Sequence, residues 1–128
     1  MNRDDRQQAV LQWAGDTFGV AALAPDERVL RVLEEVIELA QAEGITRDQA
    51  RTVVDHVFGK PPGDPVQEVG GVGVTLLAYC QTRGISADRA EQSEFDRVRT
   101  TDPMRFRERQ NKKVAAGIAV RAPERAGE

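Results

Sequence analysis

The segment PDERVLRVLEEVIELAQAEG, residues 25–44, restricts the fold more than any other part of the chain. It opens on a proline, whose fixed φ suits the first turn of a helix, and Asp26 and Glu27 follow where the helix dipole favours acids. It closes on Gly44, a natural end for a helix. Between these signals Leu30, Leu33, Val36, Ile37, Leu39 and Ala40 leave little of the circumference for water. Composition favours more helices rather than a sheet around it. Aromatic residues are only 5% of the chain, β-branched runs are few, and Ala, Leu, Val, Glu, Arg and Gln dominate.

The same punctuation divides the rest of the chain. A first helix covers about Arg3 to Thr17, and FGVAALAP breaks it. A third, capped by Thr46, runs through TRDQARTVVDHVFG and stops before GKPPGDP, the clearest loop in the sequence. A fourth runs from about Pro65 to Arg83 and is closed by Gly84, with Asp64 placed as its N-cap. Ser86 caps a fifth through about Arg97, TTDP breaks it, and PMRFRERQNKKVAAG forms a short basic last helix. These elements predict an all-α fold, a four-helix-type bundle with extra short helices. Residues 1–120 read as a single helical domain and residues 121–128, RAPERAGE, as a polar tail expected to fray.

Net charge is −3, so no basic excess points to nucleic acid as a partner. Cys80 is the only cysteine, which excludes an intrachain disulfide and suits a reducing compartment. The charged start MNRDDRQQ lacks the apolar core of a signal peptide, and no run approaches the ~20 apolar residues of a membrane span. A cytoplasmic domain without a membrane partner is the expectation. Helices two and four are apolar around most of their circumference, more than a lone 128-residue bundle is expected to bury, which predicts a homo-oligomer.

Helix two also carries Glu34, Glu35 and Glu38. On a helix, Glu34 and Glu38 share a face at i, i+4 and Glu35 and Glu38 at i, i+3, so like charges repel. Burying them unpaired would cost far more. A divalent cation with oxygen ligands would neutralise them, and Mg²⁺ typically takes one or two carboxylates and keeps positions for water and phosphate. Pairing with Arg28 and Arg31, one turn upstream, is the plainer alternative. Helix four adds a second oddity, with Gly70, Gly71 and Gly73 inside an apolar run. Each interior glycine costs about 1 kcal/mol relative to alanine. Glycine there would admit a close neighbour, backbone or ligand, and Glu68 and Thr75 lie one turn either side of Gly71. Neither GKPPGDP nor GGVGVT has the spacing of a phosphate loop, and no strand precedes either.

EEVIE at Glu34–Glu38, followed about thirty residues later by Glu68 on another helix, resembles the MazG-like all-α nucleoside triphosphate pyrophosphohydrolases. Their signature is E-E-x-x-E on one helix and E-x-x-D on the next. The resemblance covers roughly Gln8 to Gly117, with Trp13 and FG before the acidic helix, EVGGV on helix four and FRERQNKK near the end. It is nearest to the short phage and bacterial MazG-like proteins. It implies a helical bundle assembled as a homodimer or homotetramer. It further implies hydrolysis of a nucleoside triphosphate to the monophosphate and pyrophosphate with Mg²⁺, Mn²⁺ being a possible substitute. Carried over by position, Glu35, Glu38 and Glu68 are the metal ligands, and Glu34 is a general base or an acid behind the ligands. The match fails at Gly71, where the family has its fourth carboxylate. A catalytically impaired nucleotide- or protein-binding oligomer is therefore the alternative function.

The last helix supplies candidate phosphate-binding groups in Arg109 and Lys113, an i, i+4 pair extended by Arg105, and Asn111 echoes an asparagine of the family. The plainer reading is a solvated basic face. Trp13 is a candidate for stacking on a base, with core packing as the alternative. His56, the sole histidine, reads as a helix residue without a catalytic role, and Cys80 as core.

Overall fold

The computed structural model describes residues 1–120, so the tail expected at 121–128 lies outside the described residues. Six α-helices follow in order: α1 (Arg3–Phe18), α2 (Pro25–Ala42), α3 (Arg47–Phe58), α4 (Pro65–Arg83), α5 (Ala87–Thr100) and α6 (Pro103–Ala115). The break after α1 is a short 3-10 helix, Val20–Leu23. There is no strand among the described residues, and no helix is long and apolar enough to cross a membrane.

Local chemistry explains the boundaries. Asn2 caps α1 by accepting from the Asp5 N–H at 2.8 Å. Thr46 and Gln49 form a reciprocal capping box at the start of α3. Asp64 accepts from the Gln67 N–H ahead of Pro65, so its role is the cap. Ser86 does the same for α5 through the Arg89 N–H, and Asp102 for α6 through Met104. At the other end of α2, Gly44 takes φ +91°, which a side chain would oppose, and the Gly44 and Ile45 amides return to Gln41 and Ala40. The pair Gly84–Ile85 ends α4 by the same two bonds, to Gln81 and Cys80.

The chain divides into two compact units, Met1–Val36 with Phe95–Glu128, and Ile37–Glu94. In the first, α1 packs against the 3-10 helix and α6. Ala14, Ala22 and Phe95 are buried there. Trp13, Phe18 and Phe106 meet edge to face, with ring centroids 5.3–6.4 Å apart. Such pairs are worth about 0.5–1.5 kcal/mol each beyond their buried area. Trp13 is thus a packing residue of this cluster. Arg6, Thr17 and Glu27 are also buried.

The second unit buries fewer side chains. Cys80 is its buried hydrophobic residue, as a free thiol, while α3 has no buried residue at all. Tyr79 donates to a Glu43 carboxylate oxygen at 2.6 Å, and Arg83 lies 3.4 Å from the same oxygen. The hydrogen bond to Glu43, aided by desolvation, raises the Tyr79 pKa above its ordinary 10.0.

Candidate functional site

Glu34 sits on the part of α2 that belongs to the first unit, and both of its oxygens face cations. Arg31, one turn back on α2, reaches one oxygen at 3.3 Å, and Lys113 of α6 reaches the other at 2.7 Å. Both pairings are half-buried. The sequence alternatives of arginine pairing and of a basic last helix facing the acids are thus both realised at this one carboxylate. A carboxylate committed to two cations is placed to orient them.

Glu27, two turns before Glu34, was expected only as a first-turn acid. It is instead 1% exposed. The Gln110 side chain donates to it at 2.8 Å and the Val120 backbone N–H at 2.7 Å. Arg31 lies 3.4 Å away and Arg28 3.8 Å. Arg31 also donates to the Ile118 carbonyl. These bonds tie the residues after α6 back onto α2. Burial pushes the Arg28 guanidinium pKa down, with the Glu27 charge opposing. Glu27 and Arg31 stand at helical spacing, but the sequence contains no sign that the pair is enclosed.

The other acids stand apart. Glu35 and Glu38 are exposed on α2, Glu35 in the first unit and Glu38 in the second. Glu68 is exposed in the first turn of α4, where the helix dipole favours it, and its carboxylate lies over the loop at Gly63. Oxygen donors of this kind suit Mg²⁺. Among the described residues, however, no three His, Cys, Asp or Glu side chains gather closely enough to hold a metal ion.

Among the described residues, a Cβ built on Gly70, Gly71 or Gly73 meets no atom within 4 Å.

On α6, the candidate phosphate and base contacts separate. Lys113 is at Glu34, while the Arg109 guanidinium lies 5.8 Å from the Phe106 ring centroid. Asn111 lines two neighbouring clefts of the first unit. One, of about 340 Å³, also involves Asp16 to Gly19, Arg107 and Gln110, and Arg107 is fixed there by donating to the Thr17 carbonyl at 2.8 Å. The other, of about 330 Å³, reaches Glu27, Val114 and Val120. Trp13 lines neither. Arg107 and Gln110 are the cleft residues that spacing alone left unmarked. His56 is exposed near the end of α3. Compared with protein-family models, curated proteins and solved structures, the chain matches none.

Proposed function

We propose that this chain is a nucleotide pyrophosphohydrolase of MazG-like type, converting a nucleoside triphosphate to the monophosphate and pyrophosphate in the cytoplasm. One observation carries the reading: the E-E-x-x-E face of α2 and the basic helix α6 meet, through Glu34 and Lys113 at 2.7 Å. That contact joins two of the sequence features that carry the resemblance, the acidic helix and the late basic segment. Arg31 and Lys113, oriented by Glu34, are the groups to hold substrate phosphate, since charge-assisted bonds to phosphate are the strong ones. Asn111 in its clefts is the group to hold the nucleoside. Mg²⁺, with Mn²⁺ as substitute, enters through the resemblance and the oxygen chemistry of Glu35, Glu38 and Glu68. The roles above are those of the protein's own groups.

Gly71, in place of the fourth carboxylate, favours a second reading: a nucleotide- or protein-binding oligomer without turnover. Incubating the protein with a panel of NTPs and dNTPs, with Mg²⁺ or Mn²⁺, and resolving products by anion exchange separates the two. Monophosphate and pyrophosphate in equal amounts are expected. Nucleotide binding without product would leave the second reading.

A further inference from the structure

Arg31 has a partner at each of its three nitrogens. Its Nε lies 3.4 Å from Glu27 and one terminal nitrogen 3.3 Å from Glu34, while the other donates to the Ile118 carbonyl. The side chain is 15% exposed, so a phosphate reaches it only where a partner gives way. Two of the partners are carboxylates at helical spacing on α2 itself, and they stay with it. The third is a neutral carbonyl that comes from the segment after α6.

That segment turns back at Gly117, whose φ of +76° a side chain would oppose. The Gly117 N–H donates to the Val114 carbonyl and the Ile118 N–H to the Lys113 carbonyl, closing the last turn of α6. The chain therefore leaves α6 beside Lys113, the second cation at Glu34. It then runs along α2, where the Val120 N–H donates to Glu27 at 2.7 Å. The Val120 side chain borders the cleft of about 330 Å³ with Phe18, Ala22 and Val114. Ile118, between these anchors, is 48% exposed. Lifting the segment would not strand Glu27, which keeps Gln110 and the two arginines. The freed Ile118 carbonyl and Val120 N–H would pass to water.

We infer that residues 117–120 form a strap over the phosphate position, and that a substrate phosphate oxygen takes the place of the Ile118 carbonyl on Arg31. This rests on the phosphate roles of Arg31 and Lys113 proposed above and adds a gate to them. The strap competes with substrate for the guanidinium. A phosphate wins because its bond to Arg31 joins two charges, whereas the carbonyl it displaces is neutral. The closed strap lowers apparent affinity in proportion to the fraction of chains that hold it shut.

Inorganic triphosphate with Mg²⁺ is the probe, and the Val120 amide is the reporter, because its N–H is bonded in the closed strap. In the wild-type full chain, amide-resolved hydrogen exchange should show Val120 losing protection when triphosphate is added, with Val114 inside α6 unchanged. Val120→Pro has no N–H for Glu27 and lies beyond α6, so its helical circular dichroism should be retained. Calorimetry should show this variant binding triphosphate about threefold or more tightly than the wild type. Val120→Ala keeps the donor and should gain less. Triphosphate binding with Val120 still protected would overturn the strap while leaving the phosphate roles in place. So would a Val120→Pro protein that binds no tighter than the wild type. Triphosphate that binds neither protein would instead overturn the phosphate roles, and the strap with them.

Discussion

The Lys113 ammonium on α6 lies 2.7 Å from one oxygen of the Glu34 carboxylate on α2, and Arg31 lies 3.3 Å from the other. The acid that opens the E-E-x-x-E sequence is therefore held from two sides, by a neighbour one turn away and by a residue from the far end of the chain. Lys113 and Glu34 side chains are 28% and 24% exposed, so water screens the pair and its worth is at most about 1 kcal/mol. Lys113→Met is expected to lower stability by about that much or less in urea unfolding, and to weaken nucleotide binding at least tenfold in calorimetry. A large stability loss with unchanged nucleotide affinity would make the pair structural only.

Glu27 is the opposite case. Its carboxylate is enclosed and serves Gln110, the Val120 amide and two arginines together. Removing one member of such a network leaves the others unpaired, at a cost of several kcal/mol when fully buried. Glu27→Ala should therefore lose about 3 kcal/mol, since Arg28 and Arg31 keep some access to water. It should also loosen the end of α6 and the residues after it, seen as faster trypsin cleavage at Lys112 and Lys113 in its last turn. Retained protection there would place the hold on this segment elsewhere.

Glu38→Gln tests the metal expectation without touching either network. It is an exposed position, so helicity and melting should change little. Titration of Mn²⁺ or Mg²⁺ by calorimetry should show binding in the wild type and none in the variant. Equal binding by both would move the metal to other residues.

Gly71→Asp would restore the family carboxylate. Open space around its Cβ position removes the overpacking penalty that a close helix approach would impose. The variant should melt within about 0.5 kcal/mol of wild type. Metal affinity should rise, because a hard oxygen ligand is added one turn from Glu68. A lower melting point with no gain in Mn²⁺ affinity would show that another molecule occupies that side of α4.

Tyr79 is the only tyrosine, so its titration can be followed directly by phenolate absorbance. Its proton is shared with Glu43, which raises its pKa above 10.0 in the folded state. The folded chain thus binds this proton more tightly than the unfolded one. The stabilisation is complete below the unfolded value and is lost as pH rises through the folded value. Glu43→Gln should bring the titration back down. An unchanged curve would show that Glu43 is not the cause.

Helix positions were legible in the sequence because their causes are local. Pro25, Thr46, Asp64, Pro65, Gly44 and Gly84 act on backbone groups within five residues, and the helices begin and end beside them. The all-helical class follows from the same local preferences. The acidic row on α2 was equally visible, since it depends only on the helical period.

Which of those acids would be paired, buried or left in water was decided by tertiary structure. Glu27 and Glu34 differ little in sequence context, yet one is enclosed by Gln110 and Val120 and the other is met by Lys113. The division into two units and the open space at Gly70, Gly71 and Gly73 were likewise beyond local reading. Period and capping report interactions within about one turn of a helix. Burial instead depends on which surfaces from distant parts of the chain meet, and that is settled by packing rather than by any neighbour in sequence.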